Sequence, residues 1–365
     1  MLVPLDDYFI HQSTDSIAIP GGGRPEWQER NYFNVHSTNG DVLLVCGMGT
    51  TPNTDLASAY VISAVPGING GQTDWRGVRP ISGDRARMDI GEFTFEIVEP
   101  MKQWRITMMP NGSGLEMDLS WTARHRPWEF DRISAAKPDG EAIHDFAHLH
   151  QSGTYRGWMK IDGNRYEADG WYGVRDRTWG IREGLDFWIW SCVQFPDRSL
   201  SLYHFEDAAG QIQYSSGGFC YPDRVGPGVQ IVDHDFELAE GERVPSRGTV
   251  QLQTVDGKNE ALEFRALGPL VSYMAPEPVD LSNPYASALG RPEAGWEHWP
   301  NKEYADAARR HGTIHDSLCE FRLGNETGYG VFELVALQYQ RYGWTTPFEF
   351  SASIEAGKGG KQRRG

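Results

Sequence analysis

At 365 residues, with 39% hydrophobic and 23% charged side chains, the chain is long enough for about two domains and too apolar for wholesale disorder. A formal net charge of −16 repels phosphate backbones, which excludes nucleic acid as a natural partner. The longest apolar stretches, such as 187–195, are too short to span a bilayer. No basic-then-apolar leader occupies residues 1–10, so a reducing cytoplasm is the expected compartment. Cys46, Cys192, Cys220 and Cys319 form no Cys-x-x-Cys pair, and four cysteines are too sparse for a disulfide scaffold. Aromatic residues reach 12%, with 13 Trp, which favours thick β cores or an aromatic-lined cavity.

In chain order the pattern is strand and turn. Asn31 to His36 and Asp41 to Cys46 flank Thr38-Asn39-Gly40, and Asn-Gly is the strongest short hairpin signal. Gln103 to Met109 and Leu115 to Arg124 flank a Pro-Asn-Gly-Ser-Gly turn. The second of these strands sets Leu115, Met117, Leu119 and Trp121 on one face at period two. The stretch from Arg126 to Gly140 reads as an irregular connection, which places a domain boundary near 127–148. Thr154 to Ile161 and Asn164 to Gly170 flank Asp162-Gly163. Asp186 to Phe195, Ser199 to Glu206 and Gln211 to Phe219 read as a meander, and Thr249 to Val255 pairs with Ala261 to Leu267 across Asp256-Gly257. Helix signals are confined to 282–288 and to 301–311, the latter opening on an Asn cap and followed by Gly312. The expected fold is therefore all-β: two antiparallel barrels or flattened sandwiches with few short helices, over 1–140 and 141–354, and a disordered basic tail at 355–365.

The densest polar and aromatic cluster runs from Gly170 to Arg182. In an extended segment Tyr172, Val174, Asp176 and Thr178 share one face, and Arg175, Arg177 and Trp179 the other. A buried Asp176 needs partners. Arg175 or Arg182 would hold it ionised through a charge-assisted bond; an apolar wall without that pairing would raise its pKa and make it a general acid. The residues alone leave both open, and a purely structural Asp-Arg-Trp lock stands beside them. Trp188, Trp190 and Tyr203 read either as core or as the lining of an apolar pocket. Glu333, a charge inside an apolar strand, points into a cavity or to solvent. His144, Asp145, His148 and His150 have a spacing that could offer metal ligands, as do His311 and His315, but surface histidines are the commoner explanation, so no metal and no cofactor are expected. No P-loop lysine follows Gly21-Gly22-Gly23, and no Gly-x-Ser-x-Gly elbow is present.

The run Gly153-x-x-x-Gly157, Asp162-Gly163 and Gly173-x-Arg175-Asp176-Arg177-Thr178-Trp179-Gly180-x-Arg182 resembles the hydroxyneurosporene synthase (carotenoid 1,2-hydratase) and tocopherol-cyclase-like group of double-lipocalin proteins. Tyr32-Phe33-Asn34, Trp104-Arg105 and Gly328-x-Gly330-x-x-Glu333 look like that group's flanking segments. Its motif typically reads Arg-Asp-His-Ser-Trp-Gly-x-Arg, so Arg177 stands here in place of His and Thr178 in place of Ser. The resemblance implies two flattened lipocalin-like barrels, a hydrophobic substrate, often isoprenoid or polycyclic, and acid-initiated hydration or cyclisation of a carbon–carbon double bond. On that reading Asp176 donates the proton, and Arg175 and Arg182 orient it or bind a substrate oxygen. Trp171, Tyr172 and Trp179 wall the pocket, with Trp190, Tyr203 and Glu333 as further lining. The alternative is a non-catalytic carrier of a lipid-like or steroid-like ligand, which needs the same apolar barrel and no proton donor.

Overall fold

The computed structural model describes residues 7, 9, 20–37, 39–68, 71–81, 86–136, 142–182, 186–273, 294–298, 309–310, 314–337 and 339–344. The first part of the chain forms β1 (Trp27–His36), β2 (Leu43–Thr51), β3 (Leu56–Ala64), β4 (Gln72–Arg79), β5 (Asp89–Ile90), β6 (Phe93–Glu99), β7 (Gln103–Met108) and β8 (Leu115–Ala123). These are followed by β9 (Trp128–Glu129), β10 (Ile133–Ala136), β11 (Ala142–Ile161), β12 (Asn164–Glu167) and β13 (Tyr172–Arg182). The remainder forms β14 (Phe187–Gln194), β15 (Ser199–Glu206), β16 (Ile212–Cys220), β17 (Val225–Leu238), β18 (Pro245–Thr254), β19 (Asn259–Ser272), β20 (Gly295–His298), β21 (Ile314–Leu323) and β22 (Glu326–Ala336).

Two sheets result. One is a 14-stranded antiparallel sheet ordered β20-β4-β3-β2-β1-β13-β11-β8-β7-β6-β5; the other is a closed barrel of β14 to β19 with β21 and β22. The all-β class holds, but closure belongs to the second sheet alone. The first curls until the two-residue β5 touches β3 and β4 without pairing to them. The sheets change over between Arg182 and Phe187, not at the connection expected near 127–148, because β11 and β13 insert beside β1 in the middle of the first sheet. Residues 142–148 of the long β11 fall within that expected boundary and are strand. The helix expected at 282–288 and the tail lie outside the described residues, as does most of the helix expected at 301–311, of which Arg309 and Arg310 are helical.

Period-two alternation sorts side chains into three cores. Phe33, Trp75, Phe95, Trp104 and Trp121 fill the inside of the curled sheet. Phe187, Ile189, Leu200, Leu202 and Phe264 fill the barrel. Between the sheets lie Tyr32, Tyr60, Phe146, Val174, Trp188, Trp190, Tyr203 and Phe205. Strands at this interface are buried on both faces, and so β14 and β15 are buried at every position. Trp75, Trp104 and Trp121 belong to the core of the curled sheet, and Trp188 and Trp190 to the core between the sheets. Polar bolts cross it as well: Gln72 Nε2 donates to the Ser272 carbonyl (2.8 Å) and the Ser272 amide returns a bond to Gln72 Oε1 (2.8 Å). The four cysteines are buried free thiols. Among the described residues no helix is long and apolar enough to cross a membrane.

Candidate active site in the cleft between the sheets

β13 is the strand on which the site depends. It lies between β1 and β11, with Asp176 opposite Tyr32 on one side and His150 on the other. Two glycines allow that fit. A Cβ on Gly173 would sit 1.9 Å from the Asn34 carbonyl oxygen, and Gly180 has φ 135° with the Asp145 carbonyl 2.2 Å from where a Cβ would be. Alternation then divides the strand. Val174, Asp176, Thr178 and Arg182 face the barrel, and Arg175 and Arg177 face the core of the curled sheet.

The two core-facing arginines are locked. Arg175 pairs with Asp7 (Nη1 to Oδ1, 2.6 Å), donates from Nε to Gln151 Oε1 (2.9 Å), and lies over the rings of Trp104 and Trp121. Arg177 pairs with Glu29 and lies over Phe9. Arg175 is therefore not a ligand of Asp176, and the position at which this chain departs from His points away from the cleft.

The cleft is lined by Arg30, Tyr32, Tyr60, His148, Asp176 and Arg182 from the first sheet, and by Trp188, Trp190, Tyr203 and Glu333 from the barrel. Tyr273 and Ile314 complete it. Of the residues expected from sequence, Asp176, Arg182, Trp190, Tyr203 and Glu333 come together here. Trp171 packs against the core of the curled sheet, Tyr172 lies under the Arg124 guanidinium, and Trp179 is near Arg177; none of the three lines the cleft. Trp179 is offset by one position from the cleft face and Trp171 precedes β13, whereas Tyr172 shares the parity of Asp176 and sits at the far end of the strand, beyond the cleft.

Asp176 is 7% exposed, and its Oδ1 has no hydrogen-bond partner among the described residues. Burial pushes its carboxyl up to about 7; Glu333 adds to the rise, and Arg30, Arg182 and Arg175 oppose it. At neutral pH a large fraction of this carboxyl carries its proton. The Nε2 of His148 lies 4.0 Å from Asp176 Oδ2. Trp190 Nε1 donates to that Nε2 (3.3 Å), so the ring proton is on Nδ1, which donates to Thr178 Oγ1 (2.7 Å). Burial, then the neighbouring His150 and arginines, hold the His148 pKa well below its ordinary value, so the ring is neutral. Thr178 thus keeps the hydroxyl that Ser would supply, and the hydroxyl fixes a ring that lies beside the acid. Arg182 donates to Tyr203 OH (3.2 Å) and lies over Trp188.

Behind the opposite wall Asp316 accepts hydrogen bonds from Tyr32 (2.9 Å) and Tyr273 (2.8 Å) on Oδ2. Burial, and then Glu333 facing it across the β21–β22 pair, hold its pKa well above the carboxylate range. Two carboxyls so placed bond only by sharing a proton. Trp188 Nε1 donates to Glu333 Oε1 (2.7 Å), aiming it at the cleft. Among the described residues two groups could ligate a metal ion: His148, His150 and Asp176 in the cleft, and His204, Glu206 and His234 in the barrel, the ligand atoms of each lying within 4.8 Å of one another. His144 belongs to neither.

Sequence reading missed Arg30, Tyr32, Tyr60, Tyr273 and Asp316, and weighed His148 only as a metal ligand. A usable signal was the alternation of His144, Phe146, His148 and His150, which is a buried strand face written in histidine.

The fold has solved relatives at low identity. AttH (NE1406) from Nitrosomonas europaea superposes with a TM-score of 0.55 at 12% identity, over 85% of this chain and 92% of that one. Kievitone hydratase from Nectria haematococca gives 0.53 at 12% identity, over 90% and 96%. No curated protein sequence matches the chain. Residues 2–345 match a family of unknown function, DUF8625, and the chain belongs to that family.

Proposed function

We propose that the cleft is the active site of an enzyme that protonates a carbon–carbon double bond of a hydrophobic small molecule, leading to hydration or cyclisation without a cofactor. The observation that carries this reading is Asp176: a carboxyl that keeps its proton near neutral pH, with one oxygen unbonded, in a cleft walled by Trp188, Trp190, Tyr32 and Tyr203. The acid gives its proton to one alkene carbon and becomes a carboxylate. The cation formed on the other carbon lies among aromatic faces that stabilise it. In hydration, water bonds to that carbon and its surplus proton returns to Asp176, so the net change is addition of one water. In cyclisation a second double bond attacks, and the proton lost from the product restores the acid. Arg30 and Arg182 suit an oxygen on the substrate. An isoprenoid or polycyclic skeleton fits both the aromatic lining and the resemblance of the β13 motif. That a protein of this fold is named a hydratase supports the same chemistry.

The test is an incubation of the purified chain with prenylated phenols and linear or cyclic isoprenoids in water and in deuterium oxide, followed by mass spectrometry. The expected product carries one added water, or is isomeric with the substrate, and in either case holds deuterium on carbon. A co-purified apolar ligand released unchanged, with no turnover of any member, would favour a carrier instead.

A further inference from the structure

The barrel holds a second polar cluster, on the face of β15 away from the cleft. Tyr203 and Phe205 face the first sheet, so by alternation His204 and Glu206 face the barrel interior. His234 comes from β17, and Tyr339 and Tyr342 from the segment that follows β22. His204 Nε2 lies 2.7 Å and His234 Nε2 3.1 Å from the same Glu206 Oε1, and Tyr339 OH donates to Oε2.

Among the described residues the ion-pair partners of Glu206 are these two imidazoles. The ligand atoms of His204, Glu206 and His234 lie within 4.8 Å of one another, converging from two strands as a metal site requires.

The orientation of the rings points the same way. His234 is stacked between Phe187 (5.0 Å, 18°) and Phe236 (4.8 Å, 17°), and its Nδ1 bonds Tyr342 OH at 2.9 Å. That is the outer bond by which a ligating histidine is held, and it directs Nε2 towards Glu206 and the shared site. Alternate positions on one strand place the His204 and Glu206 ligand atoms side by side, and the third comes from the strand of His234. Gly210, in the turn after β15, has its Cβ direction 3.4 Å from Tyr339 OH and 3.6 Å from Glu206 Oε2, so the site lies directly under a surface turn.

We propose that His204, Glu206 and His234 bind a divalent first-row cation, with zinc as the best match to two imidazoles and a carboxylate, and with the Tyr339 phenol oxygen or a water in the fourth position. The ion ties β15 and β17 to the segment 339–344 and fastens one end of the barrel. It is independent of the chemistry assigned to the cleft.

The full-length chain, stripped by a chelator and desalted, is given zinc sulfate or cobalt chloride. About one zinc per chain should be retained through gel filtration, the melting temperature should rise, and cobalt should give the visible absorption of a tetrahedral nitrogen and oxygen site. His204→Gln/His234→Gln should lose all three, whereas His148→Gln/His150→Gln, which removes the cleft group, should keep them. Failure of the wild-type chain to retain zinc, or loss of the metal in the cleft variant, overturns the proposal. Should the barrel variant not fold, retention in the cleft variant together with the cobalt spectrum still decides, because these are the two candidate groups among the described residues.

Discussion

Arg175 and Asp176 are neighbours in the chain, both buried, and they face opposite cores. Arg175 has Asp7 as its counter-charge, Gln151 as its acceptor and two indole faces beside it. Among the described residues Asp176 has no ion pair closer than the 4.0 Å approach of His148, and its Oδ1 has no hydrogen-bond partner. The contrast teaches that burial alone does not assign a role to a charged residue. A buried charge held against a counter-charge is a fastener; a buried carboxyl without a close counter-charge holds a proton that it can give away. The same division separates Arg177, paired with Glu29, from Thr178, whose hydroxyl orients the ring that faces the acid.

The largest effect on stability should come from breaking the fastener. Arg175→Gln leaves Asp7 buried without its counter-charge and should cost about 3–5 kcal/mol. Chemical denaturation reads this as a lower midpoint, with turnover per folded molecule unchanged. An equal loss of turnover per folded molecule would place Arg175 in the chemistry after all.

A pH series sharpens the contrast from the other side. The folded state raises the Asp176 pKa from its ordinary 3.8 to about 7. Its contribution to stability is therefore complete below the unfolded value and is lost as pH rises through 7. At about 1.4 kcal/mol per pH unit the loss approaches about 4 kcal/mol by pH 8. Against Asp176→Asn, the wild-type chain should be comparably stable near pH 4 and clearly less stable at pH 8. Parallel stability curves for the two proteins would contradict the raised pKa.

A smaller change is expected at Thr178. Thr178→Val leaves His148 Nδ1 without its acceptor, at about 1–3 kcal/mol, and should lower turnover by freeing the ring. Thr178→Ser should restore both, and a Val variant with full turnover would show that the chemistry does not need the His148 ring held in place. The smallest effect belongs to Trp179. Trp179→Phe lies off the cleft and should change turnover and stability by no more than about 0.5 kcal/mol, measured under the same conditions. A large loss would show that the cleft extends around the edge of β13.

Much of this was legible in the sequence, for reasons that are local. Asn39-Gly40, Asp162-Gly163 and Asp256-Gly257 mark turns by their tolerance of left-handed backbone, and β1–β2, β11–β12 and β18–β19 meet at them. Alternation alone puts Asp176 and Thr178 opposite Arg175 and Arg177. What could not be read locally was the partner of each face. Asp7 and Glu29 reach β13 only because β11 and β13 enter the first sheet, which no signal near 127–148 announces. Asp316 meets Glu333 only through the β21–β22 register. Trp171, Tyr172 and Trp179 belong to the right motif, but an aromatic ring in a motif does not state which core it enters. His148 was misjudged because a histidine-rich strand lacks the apolar alternation by which buried faces are usually recognised.

The most direct test of the central claim is turnover and melting temperature measured on one Asp176→Asn preparation, at pH 7, with whichever alkene the wild-type chain converts. The amide keeps the volume and removes the transferable proton. Turnover should fall by about 10²–10⁴ in a protein at least as stable as the wild-type chain, because no ion pair is broken. Full turnover in a folded variant would remove Asp176 from the mechanism, and a loss of stability as large as that expected for Arg175→Gln would make it a fastener like its neighbour.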